Sequence, residues 1–194
     1  MNRSFKTVVL SLCAATMALL CGTASAQTSD NEKAWAALKV PGTIVLFRHA
    51  IAPGGGDPAG FDINDCKTQR NLDEQGRAQA LRIGEGFRKH AIKVDAVLTS
   101  QWCRTRETAQ IAFPNQQQDA PAFNSFIRNT TDQKLGQTAE ARKLLMAWRG
   151  AGVLVVVTHQ VNITALTDIY PDSGEGIILH KQGDKLKVVA RLTP

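Results

Sequence analysis

Thr43-Ile44-Val45-Leu46-Phe47-Arg48-His49-Ala50 is the stretch that decides the fold. An apolar, partly β-branched run follows Pro41-Gly42 and delivers an arginine and a histidine side by side. A strand covered on both faces needs no polar alternation, so this run reads as a buried parallel strand. In open α/β sheets ligands bind beyond the carboxyl edge of the strands, where loops leave and helix N-termini point inward. Arg48 and His49 therefore stand where a binding site is expected, and a phosphate suits the pair.

Working outward, Ala52 to Gly60 is dominated by glycine and proline and reads as a loop over that edge. Asp73 is a good N-cap for a helix from about 74 to 90, and Val94 to Thr99 makes a second strand. Ser100 is placed to cap a helix from about 101 to 112, stopped before Pro114. Arg104, in its first turn, faces the same crevice as Arg48 and His49. Asn115 to Asp119 reads as a turn and Pro121 to Phe126 as a possible short strand, with a helix from a Thr138 cap to Arg149. Val153 to Val157 is the most strand-like segment and ends in Thr158-His159-Gln160, a second histidine at a strand end. A short helix from about Asn162 to Ile169 follows, and Ile177 to His180 with Leu186 to Leu192 close the chain as a hairpin turned at Gln182-Gly183-Asp184. Before the first strand, Glu32 to Lys39 offers a short helix with Trp35 and Leu38 on one side.

The amino terminus reads as a secretory signal over residues 1–26. A basic Asn2-Arg3-Ser4-Phe5-Lys6 precedes an apolar segment from Val8 to Leu20 and the small-residue exit Ala24-Ser25-Ala26. The apolar core is shorter than the roughly 20 residues that a membrane span needs. Its removal leaves residues 27–194 as one domain, and the loss of Arg3 and Lys6 lowers the formal charge from +6 to +4. That mild excess suits anionic small molecules. Nucleic acid is disfavoured because the basic residues are scattered and the chain has a single tyrosine. Cys66 and Cys103 would be the only cysteines left, either bonded or two free thiols, and an oxidising compartment favours the bond. Without a CxxC pair or clustered histidines, no metal is expected.

Two strand-end histidines and two arginines have a common chemical logic. A phosphate dianion takes charge-assisted donors from Arg48 and Arg104, and a neutral imidazole can attack it. Nearby guanidinium groups keep His49 neutral by opposing its protonation. His90 and His180 read as structural, and Arg106 with Glu107 as a solvated helix face.

The ordered motifs resemble the histidine phosphatase superfamily, also called phosphoglycerate mutase-like. Arg48-His49-Ala50 stands for its Arg-His-Gly motif, Asn71 to Gly76 with Gln79-Ala80 for its first helix entrance, Ser100 with Arg104 and Thr108-Ala109 for its middle motif, and Thr158-His159 for its second histidine. Ala50 and Gln160 depart from the usual glycines. The resemblance implies a three-layer α/β/α fold with a mostly parallel central sheet. It also implies a phosphomonoesterase that needs no cofactor, with His49 as the phosphorylated nucleophile and Arg48, Arg104 and His159 as the phosphate pocket.

Within the superfamily, the leader and hairpin look similar to periplasmic lipopolysaccharide core heptose phosphatases. The expected partner is thus a small phosphorylated substrate such as a sugar phosphate or a lipopolysaccharide core phosphate. Two rivals are a non-catalytic phosphate-binding module and a mutase-like phosphotransferase. The family's compact branch often supplies a carboxylic acid as proton donor between the pocket arginine and the second histidine. That region offers Asp119 and Asp132, of which Asp132 is the better placed; Asp57, Asp62 and Asp65 of the loop after His49 are the alternatives.

Overall fold

Strand β1, Ile44–Arg48, lies near the middle of a six-stranded sheet and is covered on both sides, which is why its sequence shows no polar alternation. The structure is a computed structural model that describes residues 30–194, so the leader read at 1–26 lies outside the described residues. Helix α1 runs through residues 30–37. After β1 come α2 (Glu74–Lys89), β2 (Val94–Thr99), α3 (Cys103–Ala112), β3 (Gln117–Asp119), α4 (Thr131–Ala147), β4 (Val153–Thr158), α5 (Gln160–Thr167), β5 (Gly176–Gln182) and β6 (Lys185–Leu192).

The sheet order is β3-β2-β4-β1-β5-β6. The first four strands are parallel, and β5 and β6 are antiparallel additions. Val45 and Phe47 of β1, with Val153, Val155 and Val157 of β4, face a layer made by Trp35, Ile83, Phe87 and Ala112 from α1, α2 and α3. Ile44 and Leu46, with Leu154 and Val156, face the opposite layer of Ala141 and Leu145 from α4 and Ile163 and Leu166 from α5. This is the three-layer α/β/α arrangement expected from the sequence. Phe47 is fully buried between these layers, and its truncation to alanine would cost about 3–5 kcal/mol.

Local signals place the helices that carry the site. The Asp73 carboxylate accepts the Gly76 N–H at 2.7 Å and starts α2 as expected. Any side chain at Gly76 would collide with the Ile51 carbonyl, so α2 can lie against the segment leaving β1 only with glycine there.

Three expectations are corrected. Helix α4 begins at Thr131, because Thr130 and Gln133 form a reciprocal capping box; Thr138 lies inside it, its hydroxyl donating to the Lys134 carbonyl. The polar Gln117–Asp119, read as a turn, is an edge strand beside β2. Pro121–Phe123 is a 3-10 turn rather than a strand.

Candidate active site

Strands β1 and β4 run in register, with Arg48 opposite Thr158, so the residues that follow them, His49 and His159, emerge as neighbours. The His49 N–H donates to the Thr158 carbonyl at 2.9 Å, and the two imidazole rings lie 5.6 Å apart. Both rings are almost wholly buried. They line a cavity of about 470 Å³ together with Arg48, Arg104, Arg70, Arg128, Asp57 and the glycines Gly54 to Gly56. The structure thus brings together His49, Arg48, Arg104 and His159, the four groups expected from the sequence.

The hydrogen bonds define what each ring can do. A carbonyl oxygen only accepts, so the 2.7 Å contact between His49 Nδ1 and the Ala50 carbonyl puts the proton on Nδ1. His49 Nε2 is left with a free lone pair. Burial first, and then the Arg104 guanidinium, pushes the His49 pKa down to about 3, so the ring is neutral at pH 7. The peptide that holds it is fixed as well: the Ala50 N–H donates to Thr108 Oγ1 at 3.1 Å, and Thr108 Oγ1 donates to the Arg104 carbonyl.

His159 Nδ1 lies 3.4 Å from Arg104 Nη2, a group that can only donate, so Nδ1 accepts. Its Nε2–H then donates to Ser100 Oγ at 2.8 Å, and the Ser100 hydroxyl passes on to Asn124 Oδ1 at 3.2 Å. Burial, followed by His49 and the surrounding arginines, holds the His159 pKa well below the ordinary imidazole value. Ser100 also accepts the Trp102 N–H at 3.3 Å, so the residue expected as a helix cap mainly orients the second histidine. The N-cap position of α3 belongs to Trp102.

The arginines are aimed by the fold. Arg48 Nη1 donates to the Pro171 carbonyl at 3.0 Å, leaving Nε buried without a partner. Arg104, in the first turn of α3, is 4% exposed, and its Nε is likewise unpartnered. Arg70 Nη1 donates to the Ala52 and Gly54 carbonyls and so holds the glycine-rich loop. Burial lowers the pKa of Arg48 and Arg104 from the usual guanidinium value, with the Asp57 contacts opposing the shift at Arg104. The cavity carries four arginines and one carboxylate, a field built for anions.

That carboxylate is not Asp132. Asp132 lies exposed in the first turn of α4 and does not line the cavity, a consequence of the capping box that starts the helix at Thr131. Asp119 is half-exposed and ion-paired with Arg106. Asp57 is the carboxylate in the cavity: its Oδ1 accepts from Arg104 Nη1 at 2.7 Å, and its Oδ2 accepts from Arg104 Nη2 at 3.2 Å and from Trp102 Nε1 at 3.1 Å. Sequence reasoning missed Arg70 and Arg128. Arg70 adjoins the Asn71-Leu72-Asp73 helix entrance, which was the available signal; Arg128 sits in an irregular stretch that offered none.

Cys66 and Cys103 are joined as a disulfide across a sequence separation of 37 residues. The link ties the 3-10 turn Cys66–Thr68 to the first residue of α3, beside Arg104. Gln69 reinforces it, with Oε1 accepting the Cys103 N–H at 2.9 Å. Among the described residues, no group of three or more His, Cys, Asp or Glu side chains is arranged to hold a metal ion.

Residues 44–124 match the family model of the histidine phosphatase superfamily (branch 1). No curated protein matches the chain. Solved structures share the fold at low identity. A SixA protein from Agrobacterium tumefaciens aligns at 20% identity over 79% of this chain and 99% of its own, with a TM-score of 0.56. The protein histidine phosphatase SixA complexed with tungstate aligns at 14% over 78% and 97%, with a TM-score of 0.56. A mycobacterial glucosyl-3-phosphoglycerate phosphatase aligns at 14% over 78% and 98%, with a TM-score of 0.55.

Proposed function

We propose that this chain is a member of the histidine phosphatase superfamily and a phosphomonoesterase that works through a phosphohistidine on His49. The observation that carries the reading is the His49 ring itself: buried, neutral, its proton held on Nδ1 by the Ala50 carbonyl and its Nε2 lone pair free beside a cavity lined with guanidinium groups. A module that only bound phosphate would gain nothing from such a poised nucleophile.

In this reading the phosphoryl group lies among Arg48, Arg104 and His159: the two guanidinium groups supply the charge and hydrogen bonds that stabilise a loose transition state, and His159 donates to it once the dianion has drawn a proton onto Nδ1. His49 Nε2 attacks phosphorus in line while the P–O bond to the leaving group breaks. Water then attacks the phosphohistidine from the vacated side, and His49 returns neutral with release of phosphate. The arginines supply the positive charge that a metal ion contributes in other phosphatases, so chelators are expected to leave turnover unchanged.

The substrate is read as a small phosphorylated molecule, a sugar phosphate or a lipopolysaccharide core phosphate, which the size of the cavity and its excess of arginines support. Export to the periplasm or beyond is supported by the leader at 1–26 and by the Cys66–Cys103 bond, since stable disulfides are rare in reducing compartments. Among the described residues no helix is long and apolar enough to cross a membrane.

Turnover of 4-nitrophenyl phosphate by the purified protein, unaffected by EDTA and abolished in His49→Ala, is the expected result. Activity that survives in His49→Ala would contradict the reading.

A further inference from the structure

We propose that Glu175 is a positioning residue for the phosphate pocket: it closes the turn 171–175 around Arg48 and so aims that guanidinium at the phosphoryl group. The proposal rests on the phosphatase reading above, which places Arg48 on the substrate. The turn lies between α5 and β5 and holds Arg48 through both backbone and side chain. The Glu175 carbonyl accepts the Arg48 N–H at 3.1 Å, the Gly174 N–H donates to the Arg48 and His49 carbonyls, both at 3.2 Å, and the Pro171 carbonyl accepts Arg48 Nη1 at 3.0 Å. Only the last of these contacts sets the direction of the side chain. With Nη1 so engaged and Nε buried without a partner, the rest of the guanidinium is left for an anion in the cavity.

Pro171 keeps that direction only if the turn keeps its shape, and Glu175 holds the shape from both ends. Its N–H donates to the Asp172 carbonyl at 3.1 Å, while its Oε2 accepts the Asp172 N–H at 2.8 Å. The two bonds are reciprocal, as in a helix capping box. Gly174 permits the reversal, with a φ of +73° and no space for a Cβ against the Gln79 amide. Gln79 clamps the same turn from α2: its Nε2 donates to the Ser173 carbonyl at 2.7 Å and its Oε1 accepts the Ile51 N–H at 3.0 Å, which ties the turn to the segment that leaves His49.

The carboxylate is itself fixed from β6. Glu175 is 4% exposed and accepts from Arg191 Nε and Nη2 at 2.5 and 2.9 Å. A staple for the terminal hairpin is the plainer role for this pair, but β5 and β6 are already joined along their length, from Gly176 opposite Leu192 to Gln182 opposite Lys185. What the buried carboxylate adds is an acceptor for the Asp172 N–H, which that ladder does not reach. A carboxylate so buried is costly without a cation, and Arg191 supplies one.

A double-mutant cycle with Arg48 separates aiming from mere support of the fold. Tungstate, an unprotonated dianion at neutral pH, is the probe, its affinity measured by calorimetry on Glu175→Ala, Arg48→Ala and the double variant. Glu175→Ala should weaken tungstate roughly 5- to 50-fold when Arg48 is present and less than about twofold when Arg48 is alanine, the coupling of residues that act through one another. kcat/KM for 4-nitrophenyl phosphate should fall in parallel. Glu175→Gln, which keeps an acceptor for Asp172, should recover part of both. Arg191→Met, at a half-exposed position, should give a smaller loss with the same dependence on Arg48, and keeps the role testable if the changes at Glu175 prevent folding. Unchanged tungstate affinity in these variants, or a loss that persists undiminished in Arg48→Ala, would overturn the proposal. A wild-type protein that neither binds tungstate nor hydrolyses 4-nitrophenyl phosphate would overturn the phosphatase reading instead.

Discussion

The N–H of His49 donates to the carbonyl of Thr158 at 2.9 Å, one hydrogen bond that locks the end of β1 to the end of β4 and sets His49 beside His159. The distance between the two imidazoles is therefore a property of strand register rather than of loop conformation. A site built on sheet edges is more exact than one built on loops, and phosphoryl transfer depends on such positioning.

Ser100 controls the direction of the second ring. In Ser100→Ala the His159 Nε2–H is buried without its acceptor, which costs about 1–3 kcal/mol, and the ring is free to turn Nδ1 away from the cavity. We expect kcat to fall about tenfold or more while KM changes little, since the loss is one of transition-state alignment. Ser100→Thr, which retains the hydroxyl, should recover part of the rate. Steady-state kinetics on the two variants checks this; equal rates in Ser100→Ala and wild type would remove the role.

The disulfide stabilises the pocket through the loop it closes. With Cys66 and Cys103 separated by 37 residues, the chain-entropy treatment assigns the bond about 4 kcal/mol. Cys66→Ser with Cys103→Ser should lower unfolding stability by a value of that order in urea, and should weaken phosphate binding because Arg104 adjoins the released end. The unreduced, denatured wild-type protein should show no titratable thiol from this pair; two thiols would refute the bond.

Acid should destabilise the fold through the buried histidines. The folded His49 pKa lies near 3 against an ordinary 6.5, so the unfolded chain binds more protons between those values. Its stabilising contribution is fully present above about pH 6.5 and is lost progressively as pH falls toward 3. Chemical denaturation at pH 7 and pH 4 should show the drop, and a smaller one in His49→Gln. In NMR titrations the His49 ring should show no protonation step near pH 6.5; a normal midpoint there would contradict the buried, neutral ring.

The parts of this molecule legible in the sequence are those fixed by short-range pattern. Two-sided burial wrote β1 and β4 as unbroken apolar runs, so Arg48, His49 and His159 could be placed at strand ends, and Asp73 announced α2. Which of the candidate carboxylates lines the cavity was not legible, although Asp57 stood among the alternatives, and the reason is physical. Asp57 meets Arg104 across 47 residues of chain, through a glycine-rich loop with no periodicity and a disulfide that anchors its far end. Asp132 looked better placed only while α4 was expected to start at Thr138. The Thr130–Gln133 capping box starts the helix earlier and leaves that carboxylate on an exposed first turn. Strand β3 was missed because three polar residues at a sheet edge carry no burial signal.

The central claim is covalent: His49 Nε2 carries the phosphoryl group between substrate and water. The most direct measurement mixes the protein with a ³²P-labelled phosphomonoester and quenches within the first turnovers in alkaline denaturant, which preserves phosphohistidine. The site of the label is then mapped by peptide sequencing. The account predicts acid-labile, alkali-stable label on the peptide containing His49, appearing at a rate no slower than turnover, and none in His49→Ala. Turnover without such label, or label on any residue other than His49, would contradict it.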